Sequence, residues 1–116
     1  MNKQYPSRGE IWFADLDPAV GNEQAKKRPC LIISSNTFNH CRANLVTILP
    51  ITSIDKKIPS HVGVDSNESG LRKKSFIICE QPRTISKQRL LGTAANTISE
   101  DTMETVETNV RHLLNL

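Results

Sequence analysis

Lys26, Lys27 and Arg28 stand in direct succession before Pro29, and Pro29 leads into the apolar stretch CLIIS. Charge set against the start of a core strand is charge held still. Solubility needs no such placement, whereas a polyanion site does, because a preorganised site must be carried by rigid elements. The guanidinium of Arg28 offers a fork of donors that fits a phosphate, and its pKa above ~12 makes it a clamp and a proton donor rather than a base. Thr52 leaves the later apolar run NLVTILPI, and its hydroxyl can bond the same phosphate if the two strands pair. Such a set suits cleavage of an RNA phosphodiester, where the 2′-hydroxyl is already the nucleophile. The protein has to help deprotonate that hydroxyl, stabilise charge on the phosphorane and protonate the leaving 5′-oxygen. Fixed cations and donors aimed at the phosphoryl oxygens supply much of that rate. Residue types alone leave a second reading open, with Arg28 a solvated loop charge and Thr52 an ordinary β-former.

Other chemistries find less support. The histidines are His40, His61 and His112. His112 falls in a predicted last helical turn, and His61 starts a predicted strand, facing either core or site. No GxSxG, Walker loop or HExxH is present. The chain is too short for most cofactor folds, so no cofactor is expected. Cys30, Cys41 and Cys79 are odd in number and form no CxxC pair, which points to neither a disulfide framework nor a zinc site. Cys30 and Cys79 lie in apolar runs, where a thiol acts as a small hydrophobe. No metal site is expected.

The elements that must position these residues are short strands. EIWFAD after Gly9, CLIIS from Cys30, NLVTILPI over residues 44–51, a run over 61–65, SFIICEQ over 75–81 and a last strand over 90–94 are separated by turn signals. Residues 16–28 read as one long loop through Asp17-Pro18 and Gly21-Asn22, and a structureless loop of that length is often functional. RTISKQR reads as a turn. From Ser99 to Leu114 the pattern changes: Met103, Val106, Val110, Leu113 and Leu114 recur at helical spacing behind a Ser99 N-cap. The pattern predicts one β-rich domain over residues 1–116, a barrel or sandwich closed by a C-terminal helix. With five aromatics, its core must rest on Ile, Leu and Val. No apolar run nears the ~20 residues of a membrane span. The N-terminus lacks the ~7–15-residue apolar centre of a secretion signal. A soluble cytoplasmic protein with no membrane partner is expected.

Charge is unevenly spread. Residues 99–114 carry Glu100, Asp101, Glu104 and Glu107 against Arg111, a net −3; the whole chain is +3, so the rest is +6. Its cations cluster at 26–28, 56–57, 72–74 and 83–89. Converging on one face, these clusters make a nucleic-acid footprint; dispersed, they are solvated loop charge.

Three blocks, RGEIWFADLDPAVGNEQAKKRPCLIIS, PITSIDKKIPSHV and SFIICEQPRTISKQRL, resemble in order and spacing the MazF/PemK family of toxin endoribonucleases. The resemblance implies a small SH3-like twisted β-barrel with a C-terminal α-helix, the PemK/CcdB-type toxin fold. It implies the toxin of a type II toxin–antitoxin system, a homodimer that cuts single-stranded RNA, chiefly messenger RNA, at a short sequence without metal. The products carry 2′,3′-cyclic phosphate and 5′-hydroxyl ends, and a cognate antitoxin covers the RNA groove with a disordered segment. The family's catalytic arginine falls on Arg28 and its catalytic threonine on Thr52. Glu23 matches the acidic residue of the EQ loop, in loop positioning or proton transfer. Lys27, Ser53, Lys56, Gln81 and Arg83 fall in blocks that line the groove, with a dimer or strand-edge role open for Gln81 and Arg83. Where many members have small residues after EQ, this chain has Ala25, Lys26 and Lys27. A gyrase poison on the same barrel would lack the Arg28 and Thr52 blocks; an RNA-binding barrel without activity is disfavoured because both catalytic matches are present.

Overall fold

The computed structural model describes residues 5–18, 20–23 and 26–116. Seven strands form one antiparallel sheet: β1 (Glu10–Asp15), β2 (Lys27–Ile32), β3 (Leu45–Thr52), β4 (His61–Val64), β5 (Ser75–Ile78), β6 (Arg83–Ser86) and β7 (Leu90–Thr97). The strand path runs β4-β5-β3-β2-β1-β7, and β6 joins it on β3. On its edge away from β2, the long β3 serves two partners. Its first half, Leu45 to Ile48, pairs with β6, and its end, Ile51 and Thr52, pairs with β5. Short helices α1 (Asn36–Asn39) and α2 (Ser66–Ser69) fill connections, and α3 (Glu100–Leu114) closes the chain. The β-rich architecture with a C-terminal helix expected from the sequence is the one formed.

Strand alternation sends side chains to opposite faces, and each face has its own core. One cluster holds Ile11, Leu31, Leu49, Ile51 and Ile77 with Val106 of α3. The other holds Trp12, Ala14, Leu16, Cys30, Ile32, Val46 and Ile48. Fully buried Ile, Leu and Val dominate both, as the scarcity of aromatics requires. Burial of the two thiols pushes Cys30 up to about 12 and Cys79 up to about 11, so both are inert packing groups.

Three expectations needed correction. β2 begins at Lys27, not at Cys30, so Lys27 and Arg28 belong to the strand itself. Pro29 sits inside β2, yet the β2–β3 ladder starts only at Cys30 opposite Pro50; at Pro29 the strand pairs with β1 alone, where a missing N–H is tolerated. RTIS is strand β6 rather than a turn; only Ile85 of it is buried, too little for a period to show. The turn after Asp65 contains α2, stopped by Gly70 in the left-handed region (φ 75°), where a Cβ would stand 2.7 Å from the Ala95 carbonyl oxygen.

The helix α3 follows its sequence signals. The Ser99 hydroxyl accepts from Thr102 N, Glu100 and Asp101 occupy the first turn, and Arg111 and His112 the last. Val106 is buried, with Met103 and Val110 packed on the same cluster. Arg8 ties the helix to the sheet through Glu107 and the Ile33 carbonyl. Among the described residues no helix is long and apolar enough to cross a membrane.

Candidate functional site

The cationic segment is fixed from the loop side first. Leu16 N donates to Lys26 O at 2.9 Å, and Lys26 N donates to Asp17 Oδ1 at 2.8 Å. Lys26 adopts a left-handed φ of 67°, uncommon for a lysine, and these two bonds close the loop around it. Two arginines grip the other arm: Arg83 Nη1 donates to Leu16 O at 2.7 Å, and Arg89 Nη1 donates to Asp15 O at 3.0 Å and to Asp17 O. Lys26, Lys27 and Arg28 therefore project from a braced loop root and a strand.

The ladder brings the two principal candidates together. Cys30 lies opposite Pro50 and Leu31 opposite Leu49. Carried two residues further, that register sets Arg28 across from Thr52, on the face that also carries Pro50. Arg28 is half-buried. Thr52 is 3% exposed, and its Oγ1 accepts from Ile54 N at 3.2 Å, an arrangement that orients the hydroxyl at the strand end.

The expected residues line three hollows. The first is lined by Lys26, Lys27, Arg28, Arg72 and Lys73, with Phe13, Pro29, Ile51, Ser53, Leu71 and Ser75. Among the described residues five cations and no carboxylate line it, so its field attracts polyanions. Arg72 and Lys73 come from the segment before β5, one of the clusters noted in the sequence but given no role there. The second hollow gathers Glu23, Lys56 and Gln81 with Asn22, His61 and Glu80; Arg83 and Pro50 line its neighbour, again with Glu23 and Gln81.

Within the second hollow the side chains brace one another. Glu23 Oε1 accepts from Val20 N at 2.6 Å, and Gln81 Nε2 donates to Asn22 O at 3.2 Å. Both contacts shape the loop over residues 20–23. Glu80 accepts from the Ser60 hydroxyl at 2.6 Å and pairs with His61 Nε2 at 2.8 Å. Burial alone would raise the Glu80 carboxyl, but bonds from Ser60 and His61 outweigh it and hold the group below its ordinary range. The His61 side chain is 5% exposed, and its Nδ1 is buried without a partner among the described residues. His61 thus serves core and site together, the two options its sequence position left open.

The expected residues consequently fall into two groups. Arg28, Lys27 and Ser53 share the cationic hollow, while Glu23, Lys56, Gln81 and Arg83 line the other two, with Thr52 nearly buried at the strand end between Ile51 and Ser53. Phe13, Arg72, Lys73 and Glu80 were not singled out from the sequence. The basic run 72–74 was the signal for two of them; Phe13 read as an ordinary strand residue.

Comparison with known proteins accords with this fold. The family described as PemK-like, MazF-like toxin of type II toxin-antitoxin system matches residues 7–114. Among curated relatives, the endoribonuclease EndoA of Bacillus subtilis is 42% identical over 84 residues, covering 72% of each chain. The endoribonuclease MazF of Staphylococcus epidermidis is 39% identical over 84 residues, covering 72% of this chain and 70% of that one. In fold, the chain is similar to crystalline MazF from Deinococcus radiodurans, with a TM-score of 0.87 at 20% identity over 98% of this chain and all (100%) of that one. It is also similar to a mycobacterial endoribonuclease solved in complex with its cognate antitoxin, with a TM-score of 0.76 at 22% identity over 98% of this chain and 97% of that one. A family match over residues 7–114, with curated relatives 42% and 39% identical, places the chain in the PemK-like, MazF-like family of type II toxin–antitoxin toxins.

Proposed function

We propose that the protein is a sequence-specific endoribonuclease that cuts single-stranded RNA, messenger RNA above all, through the RNA's own 2′-hydroxyl and without a metal ion. The observation that carries the proposal is the hollow whose charged lining, among the described residues, is five cations including Arg28, at the end of the β2–β3 ladder whose register, extended two residues past Cys30 and Pro50, runs from Arg28 to Thr52. Arg28 clamps the scissile phosphate, stabilises the charge that grows on the phosphorane and stands where it can donate a proton to the leaving 5′-oxygen. The Thr52 hydroxyl, oriented by the turn at Ile54, bonds a phosphoryl oxygen. Glu23 shapes the loop over residues 20–23 and is assigned to loop positioning or proton transfer. Lys27 and Lys56 meet flanking phosphates, Ser53 bonds the backbone, and Gln81 reads a base edge. Arg83 supports RNA binding from the loop root it braces.

The protein works as a cytoplasmic homodimer that arrests translation and growth. A cognate antitoxin silences it by laying a disordered, acidic segment along the cationic hollow, a partner class supported by the antitoxin complex of the mycobacterial relative.

The test is cleavage of a long, defined single-stranded RNA by the purified protein in EDTA, with both ends mapped by sequencing. The expected result is cutting at one short motif, with 2′,3′-cyclic phosphate on one product and 5′-hydroxyl on the other, and no cut where the nucleotide at the motif is 2′-deoxy. Cleavage of the 2′-deoxy site, or cleavage that vanishes with EDTA and returns with magnesium, would contradict the mechanism.

A further inference from the structure

We propose that Phe13 is a stacking platform for one unpaired base of the RNA, next to the cleavage site. Phe13 is 42% exposed in the middle of β1, where its strand neighbours Trp12 and Ala14 are buried. It faces Pro29 on β2 and Leu91 on β7, directly in register, and Leu91 is 36% exposed. Register partners across a sheet share a face, so these three make an apolar row open to solvent. The row ends in the cationic hollow, which Phe13 and Pro29 line together with Lys27, Arg28, Arg72 and Lys73.

An aromatic ring set among cations is the pattern of a single-strand site: charges track the phosphates while a base stacks on the ring. A second copy of this chain is the other candidate occupant of an exposed apolar row. Charge argues against it here. Apposing two such faces would bring five cations from each copy together with no carboxylate in the hollow to offset them. A polyanion meets the same face without that cost, since phosphates neutralise the cations and the base covers the ring. By alternation Phe13, Lys27 and Pro29 lie on the sheet face opposite Arg28 and Thr52, and the hollow reaches Arg28 at the strand end. The platform therefore takes a nucleotide flanking the scissile one, after the backbone turns the end of β2. It sets affinity and the choice of flanking base, while Arg28 and Thr52 perform the chemistry.

The inference rests on the RNA-cleaving reading above. Its test is binding of a short mixed-sequence 2′-O-methyl oligoribonucleotide, which the protein cannot cut, to wild type and to Phe13→Ala, Phe13→Leu and Phe13→Trp. Oligomeric state is read by sedimentation at the same concentration. Phe13→Ala and Phe13→Leu are expected to weaken binding by about five- to a hundredfold, and Phe13→Trp to restore it. The salt dependence should stay as in wild type, because the phosphate contacts remain. An oligonucleotide abasic at one position should bind wild type and Phe13→Ala alike. A Phe13→Leu protein that binds like wild type overturns the platform, and so does a Phe13→Ala protein whose lost affinity follows dissociation into monomers. Wild type that neither binds the oligonucleotide nor cuts RNA overturns the underlying reading and the platform with it. Wild type that cuts RNA while Phe13→Ala binds equally well overturns the platform alone.

Discussion

Arg28 and Thr52 are held in different ways, and the difference decides how each can be tested. Arg28 is half-buried and belongs to neither core cluster, so its side chain can change without opening a cavity in the core. Thr52 is 3% exposed, at the point where β3 pairs with β5, so a change there must keep its shape. Thr52→Val does so: it keeps the branched side chain and removes only the hydroxyl. Loss of the bond from Ile54 N should cost about 0.5–1.5 kcal/mol of stability. Cleavage should fall by about a hundredfold or more if the hydroxyl stabilises the phosphorane. Thermal denaturation and single-turnover cleavage of the same preparation separate the two effects, and Thr52→Ser should retain much of the rate. A Val variant that cuts at the wild-type rate would remove Thr52 from the chemistry.

Among the elements, α3 was the most legible, because a capped amphipathic helix declares itself by period and ends. The structure adds its anchor. Glu68 of α2 accepts from Ser99 N at 2.8 Å and from the Ser99 hydroxyl at 2.9 Å, so one short helix caps the next. Burial tends to raise the Glu68 carboxyl, but the bonds from Ser99 and Thr102 outweigh it and lower the group from its ordinary 4.5. A carboxyl lowered by folding adds stability above its unfolded pKa and loses it as pH falls through the folded value. Docking of α3 should therefore weaken in acid, below about pH 4.5. Glu68→Gln should flatten that part of the pH profile, by less than about 1 kcal/mol because the carboxyl is largely exposed. Urea unfolding near neutral pH and near ~pH 3 checks this, and an unchanged acid slope in Glu68→Gln would count against the cap. Such long-range caps have no signature in sequence. Strand β6 escaped for a different reason: Arg83, Thr84 and Ser86 show no apolar alternation, and their pairing is set by β3. The start of β2 was misplaced because the apolar run begins only at Cys30, behind a proline, whereas pairing on the β1 side alone lets the strand begin earlier, at Lys27.

Over the whole molecule, charge and chemistry are separated in space. The acids of α3 lie on the helix that covers one core cluster, while the cations of β2 and of the segment before β5 converge on one hollow. The sequence showed the clusters but not their convergence, since residues 26–28 and 72–73 meet only through the order β5-β3-β2. On the proposed function, that meeting gives the run of cations before Pro29 its purpose: a strand, a braced loop root and a second basic segment hold positive charge where a phosphate would sit. The most direct test is single-turnover cleavage in EDTA of an RNA carrying the mapped motif, by wild type and by Arg28→Ala, with unfolding followed on both. Cleavage by Arg28→Ala should fall by at least about a hundredfold with its unfolding midpoint unchanged. An Arg28→Ala protein that folds as wild type and cuts the motif at the wild-type rate would contradict the account.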